Sequence, residues 1–295
     1  MNNKLLYILF WFGITLSSCS RDNDQLVARI EKEFKEVSGT FAVAFEDLTT
    51  GDKILIREHE KFHAASTMKT PVMVEVFRQA AAGKFALTDS ITVKNEFKSL
   101  ADGSPFSLKP EDDSELELYK QTGTKKTIQD LLYEMIIVSS NLATNIIIEL
   151  VDAKNVMNTM HELGIKDMQV LRGVEDNKAY RLGLNNTTTA YDLMLLFSKL
   201  GKEEVVSKEA SQSMIRILLD QRFNEIIPAK LPKEVKVAHK TGFIKGIHHD
   251  SGIVILPDGR RYALVLLSKD MENEKAGIEA MARVSEMIYL HVISQ

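Results

Sequence analysis

What limits the fold of this chain most is the order of its periodicities. Residues 40–48 (TFAVAFEDL) are rich in aromatic and β-branched side chains, Thr49-Thr50-Gly51-Asp52 reads as a turn, and 53–57 (KILIR) follows, which predicts a β-hairpin. Long strand-type segments return only near the other end, at 235–241, 251–256 and 260–268. The last two are joined by Pro257-Asp258-Gly259, a turn whose proline and glycine preset the backbone. Between the two ends the period is helical. Val72, Val76, Phe77 and Ala80 predict a helix over 67–83 that Gly83 ends. Thr127 with Asp130, and Thr189 with Asp192, read as capping boxes, the first opening a helix through 138. Asn141 or a neighbour caps a helix through 151, a third covers 155–163 before Gly164, Ser207 caps another, and 274–293 closes the chain as a helix. Residues 89–94 read as a short strand and 94–124 as polar and irregular. Residues 165–187 have no period and form a long loop, of the kind that inside a compact domain is usually functional.

Strands at both ends with helices between them predict an α/β (α+β) architecture: an antiparallel sheet flanked by helices, with an inserted all-helical lobe. The expected division is an α/β lobe of 26–93 and 231–295 and a helical lobe of 94–230, with the site in the cleft between them. At 295 residues the chain can bury a sizeable core. Lys and Arg number 37 against 41 Asp and Glu, a net charge of −4, which argues against a nucleic-acid partner gripped by a basic face. One cysteine excludes an intrachain disulfide and any Cys-rich zinc or iron–sulfur site.

That cysteine, Cys19, ends an N-terminal pattern. Lys4 precedes a 12-residue apolar run, 5–16, which is too short to span a bilayer as a helix of about 20 residues and fits the core of a secretory signal. Leu16-Ser17-Ser18-Cys19 resembles the lipobox of bacterial lipoproteins. The resemblance implies a signal peptide of 1–18, a lipid anchor on Cys19, a polar tether of 19–25 and a folded domain of 26–295 held to a membrane in the periplasm of a bacterial envelope.

Three short motifs offer chemistry. In Ser66-Thr67-Met68-Lys69 a serine at a helix start has a lysine one turn up on its own face. A lysine held neutral by burial can activate such a hydroxyl, and the N–H groups of the helix start favour a developing oxyanion. Ser139-Ser140-Asn141 lies between two predicted helices, where a hydroxyl and a carboxamide can face the cleft. Lys240-Thr241-Gly242 ends a strand with a cation, a hydroxyl and a glycine that allows close backbone approach. Taken singly, each is better explained by a helix cap, a polar turn or a solvated strand end.

Together they are specific. S-x-x-K, S-x-N and K-T-G each occur once, in that order, 73 and 101 residues apart. This resembles the penicillin-recognising serine hydrolases, most closely the class A β-lactamases, over residues 26–295. The resemblance implies a monomer that needs no cofactor or metal and acts on a β-lactam or a peptidoglycan peptide. It implies that Ser66 attacks the lactam carbonyl and becomes acylated, that Lys69 is or supports the acylation base, and that Ser139 passes a proton to the leaving nitrogen. Asn141 would bind the substrate's side-chain amide and steady Lys69. Lys240 and Thr241 would hold the substrate carboxylate beside Gly242, and the N–H groups of Ser66 and Phe243 would form the oxyanion hole. Glu175 would be the deacylation base.

The departures concern mainly the second half of that cycle. The middle of the second motif is Ser140 where the family has a buried Asp, and a bulky Phe243 follows the third motif. Four residues after Glu175 stands Ala179 where the family places Asn to hold the hydrolytic water, whereas 185–189 (NNTTT) restores the loop end. A long-lived acyl-enzyme, as in a penicillin-binding protein or D,D-peptidase, is the alternative within the fold, and a wall-binding protein without catalysis the alternative outside it. His248-His249-Asp250 is a poor metal site, because neighbouring residues on a strand face opposite ways.

Overall fold

The computed structural model describes residues 12–295, with side chains from Asp22 onward. Residues 1–11 of the expected signal segment, and the side chain of Cys19, therefore lie outside the described residues. The first element, α1 (Phe12–Lys35), runs through the segment expected to be a tether. Leu26, Ile30 and Phe34 recur four apart and are buried, so this helix has a continuous apolar stripe to seat. No helix among the described residues is long and apolar enough to cross a membrane.

After α1 come β1 (Thr40–Asp47), β2 (Lys53–Ile56), the two-residue β3 (Phe62–His63), a 3₁₀ turn over Ala65–Met68 and α2 (Lys69–Ala81). Then follow β4 (Ser90–Thr92), β5 (Phe97–Lys98), β6 (Pro105–Phe106), β7 (Lys125–Thr127), α3 (Ile128–Ile137), α4 (Asn141–Val151) and α5 (Ala153–Glu162). The long loop holds α6 (Asn177–Arg181) and ends in β8 (Thr187–Thr188). The chain closes with α7 (Ala190–Gly201), α8 (Lys208–Leu219), β9 (Lys236–Ile244), β10 (Ile247–Ile255), β11 (Arg261–Lys269) and α9 (Glu274–Ile293).

The main sheet is antiparallel in the order β2-β1-β11-β10-β9, so the first hairpin of the chain is joined to its last three strands through the β1–β11 pairing. Along β1 the period of two sends Phe41, Val43 and Phe45 into the core beneath α1 and α9. Ala42 and Ala44 face the other way, into the core that also holds Val72, Leu131, Ile147 and Leu193 of the helices. The small residues on that face let α7 lie close on β1, β10 and β11. Sheet and helical lobe thus share one continuous core, which fixes the cleft between them. Thr127 and Thr189 cap α3 and α7 as expected, each Oγ1 accepting the N–H three residues on at 3.1 Å. Neither box has its return bond, from the cap N–H to the acid, among the described residues. Asp192 turns its carboxylate to the N–H groups of Asp167 and Met168, 2.7 and 2.5 Å away, and ties the long loop to α7.

Candidate active site

Ser66 sits in the 3₁₀ turn that runs straight into α2, and the Lys69 N–H closes the turn on the Ser66 carbonyl. Strand β9 passes directly against this turn: a Cβ on Gly242 would lie 3.2 Å from the Ser66 nitrogen, so the third motif needs its glycine for that approach. Two adjoining cavities of about 280 and 440 Å³ share Ser66, Asn141 and Phe243 as walls. The first adds Glu175 and the second adds Ser139, Thr241 and Gly242. Ser66 and Phe243, 177 positions apart in sequence, therefore face one cleft. Phe243 is 60% exposed at its mouth and lies against His248, ring centres 4.6 Å apart.

The amines of Lys69 and Lys240, both fully buried, meet at Ser139. Lys69 Nζ donates to Ser139 Oγ at 3.1 Å, Ser139 O at 2.7 Å and Asn141 Oδ1 at 2.9 Å. Lys240 Nζ donates to the same Oγ at 3.1 Å and to Thr241 O at 2.8 Å. An oxygen that accepts from two amines keeps its own proton free to give. Burial lowers Lys69 to about 7, against the opposing pull of Asp113 and Glu175. Burial, and next the charge of Lys69, push Lys240 far below the ordinary lysine value, while Asp250 opposes them. Near neutral pH the pair can hold fewer than two protons, the state in which one amine can accept one.

Ser139 has a left-handed backbone, φ 57°, which a serine adopts only where its surroundings enforce it. Part of that enforcement comes from Asp113, distant in sequence. Its carboxylate accepts the N–H groups of Asn141 (2.9 Å) and Leu142 (3.0 Å) at the start of α4 and the Tyr119 hydroxyl at 2.8 Å. Ser140 caps the same helix through the Ala143 N–H at 3.2 Å. The carboxylate that the motif itself lacks is thus supplied from another loop. Asp113→Ala is expected to cost about 1.5–3 kcal/mol, the range for hydrogen bonds to a charged group, read as a drop in thermal unfolding temperature. Loss of order around Ser139 should lower catalysis with it. An unchanged unfolding temperature would show that Ser140 suffices.

The long loop closes the other side of the cleft. Arg172 staples it, donating to Leu184 O (2.8 Å), Gly173 O (2.9 Å) and Asn185 Oδ1 (3.2 Å). Asn145 of α4 brackets Val174, its Oδ1 accepting the N–H at 2.7 Å and its Nδ2 donating to the carbonyl at 3.0 Å. A Cβ on Gly173 would sit 2.1 Å from that Oδ1, so only glycine fits there. Of the two adjacent acids, Asp176 is committed to structure. It accepts from Ser99 Oγ, Leu100 N and Ala179 N, at 2.8, 2.8 and 3.1 Å. Glu175 is half-buried in the cavity wall with φ 60°, and its carboxylate has no hydrogen-bond partner among the described residues. Burial and then Asp112 raise its affinity for a proton, with Lys69 opposing. Ala179 is fully buried and offers no polar side-chain atom to a water. His248 and His249 diverge: the first reaches Glu274 Oε2 at 3.1 Å, the second His63 O at 2.9 Å.

A family model described as the Beta-lactamase enzyme family matches residues 25–292. The β-lactamase VEB-1 of Pseudomonas aeruginosa is 23% identical, the match covering 98% of each chain. A β-lactamase of Bacteroides uniformis is 26% identical over 81% of this chain and 82% of its own length. Among solved structures, a variant of PBP-A captured as an acyl-enzyme complex with penicillin G superposes with a TM-score of 0.77, at 26% identity, over 94% of this chain and 97% of that one.

Proposed function

Since the chain belongs to the Beta-lactamase enzyme family, we propose that it is a serine β-lactamase of the class A type, hydrolysing the lactam amide through an acyl-enzyme on Ser66. The observation that carries this reading is the meeting of two buried amines on Ser139 Oγ in a cleft that Ser66 and Glu175 both line. Lys240 and Thr241 draw in the substrate carboxylate. Ser66 Oγ attacks the lactam carbonyl as neutral Lys69 takes its proton, and the oxyanion rests on the N–H groups of Ser66 and Phe243. As the C–N bond breaks, Ser139 hands its proton to the nitrogen and regains one from the amines it touches. A water that has given its proton to Glu175 then cleaves the ester and releases Ser66.

One observation favours a second reading, in which the acyl-enzyme forms but hydrolyses slowly, as in a penicillin-binding protein: Ala179 leaves the water without the amide that the resemblance calls for. Intact mass after mixing with penicillin G, with peptide mapping, and nitrocefin turnover separate the two. An adduct on Ser66 with steady turnover is expected. A stoichiometric burst without turnover supports the second reading. No adduct would sink both and leave a non-catalytic wall-binding protein.

The same reading places the protein in the bacterial envelope, anchored through a lipid on Cys19, on the strength of the apolar run and the Leu16-Ser17-Ser18-Cys19 sequence. Cys19→Ala is expected to move it from the membrane to the soluble fraction of bacteria, and unchanged partition would refute the anchor.

A further inference from the structure

We propose that His63 holds the hydrolytic water together with Glu175, its Nε2–H doing the work for which Ala179 has no side-chain donor. This rests on the reading of Ser66 as the acylated residue and Glu175 as the base.

The cavity that contains Ser66 and Glu175 is also walled by His63. Asn141, on the same wall, gives only its Oδ1 to Lys69, and the donors that come from the long loop are spent or exposed. The Arg172 guanidinium is used on three oxygens of the loop, and Asn186 Nδ2 donates to Arg172 O at 2.9 Å. Asn177 and Tyr180 are on the exposed side. His63, by contrast, is fixed at three points. Its Nδ1 accepts the Ala65 N–H at 3.0 Å. Its carbonyl accepts a hydrogen bond from His249 Nε2–H at 2.9 Å, and its backbone pairs with Thr187 at the end of the long loop. The ring stands edge-on to Tyr180, centres 6.1 Å apart.

Because Nδ1 is an acceptor, the ring proton is on Nε2. Burial and the charge of Arg172 push the imidazole below its ordinary value, so at neutral pH it is uncharged and remains a donor there. Nε2 has no partner among the described residues. His63 would orient the water by giving it a hydrogen bond. The water's proton goes to Glu175, its oxygen to the acyl carbon, and the proton is returned to Ser66 Oγ as the ester breaks. His63 gains and loses no proton in the step.

The test separates acylation from deacylation by following the adduct's mass through a single turnover of penicillin G. In His63→Asn the amide oxygen keeps an acceptor for the Ala65 N–H while the Nε2 donor is gone. Deacylation is expected to fall about tenfold, as loss of one hydrogen bond to a reacting group gives, with acylation within about twofold. His63→Gln, whose amide N–H reaches toward the Nε2 position, is expected to deacylate faster than His63→Asn. Wild-type deacylation in His63→Asn overturns the proposal, and so does an equal loss in both steps, which marks a structural role. If the wild-type protein forms a Ser66 adduct but never releases it, the acyl-enzyme reading stands and this one falls. If no adduct forms, both fall.

Discussion

Replacing Lys69 by methionine is expected to slow acylation of Ser66 by about 10²- to 10⁴-fold, the range over which a positioned general base acts. Methionine fills a similar volume without charge, so packing around α2 survives while Ser139 O and Asn141 Oδ1 lose a donor. The pH dependence carries the sharper information. Lys69 is active as the free amine, and burial sets it near 7. Acylation should therefore climb as pH rises through about 7 and level off above it. Lys69→Arg keeps the cation and hydrogen bonds but cannot lose the proton, so it should be nearly as slow as the methionine variant. Lys69 also bears on its neighbour. Its charge is the second cause, after burial, that depresses Lys240. In Lys69→Met that repulsion is gone, and any residual pH dependence from Lys240 should move upward. Stopped-flow acylation between pH 5 and 9 checks all three points, and a flat wild-type profile would remove Lys69 as the base.

The frame of this fold is written in local chemistry, and its site is written only in part. The hairpin, the caps at Thr127, Thr189 and Ser207, and the closing helix Glu274–Ile293 are set by neighbours within four residues, so the sequence displays them. The stripe of Leu26, Ile30 and Phe34 in α1 is equally local and readable, although the polar residues before it look like a tether. Strand β10 begins at Ile247, whereas its apolar pattern starts only after Asp250. Its first residues are buried polar groups satisfied at a distance: His249 by His63 O, and Asp250 by His239 Nδ1 at 2.8 Å and Ile227 N at 3.0 Å. No periodicity reveals such partners. Asp113 is invisible for the same reason, since its ligands at Asn141 and Leu142 are tertiary. His63 left a faint signal, three residues before Ser66, but a histidine there has no meaning until the loop is folded over it. The motifs name the groups that react; the groups that hold them in place belong to the three-dimensional structure.

Replacing Glu175 by glutamine should stop the cycle at the ester. The amide is isosteric but cannot take the water's proton, so deacylation is expected to fall by about 10²- to 10⁴-fold while acylation continues. The Ser66 adduct then accumulates and is visible by intact mass minutes after mixing with penicillin G. The neighbouring acid supplies the contrast. Asp176 caps α6 and is bound by Ser99, Leu100 and Ala179. Asp176→Ala should cost about 1 kcal/mol of stability or more, as lost caps do, whereas Glu175→Gln, which breaks no hydrogen bond, should melt like the wild type. The pH response of the two steps also differs. Glu175 works as the carboxylate, and burial with Asp112 lifts its value above the ordinary glutamate. Deacylation should thus be lost as pH falls through that raised value, and present above it. An enzyme whose turnover and melting are both untouched by Glu175→Gln would hydrolyse its ester by another base, and the half-buried carboxylate beside Ser66 would have no part in the reaction.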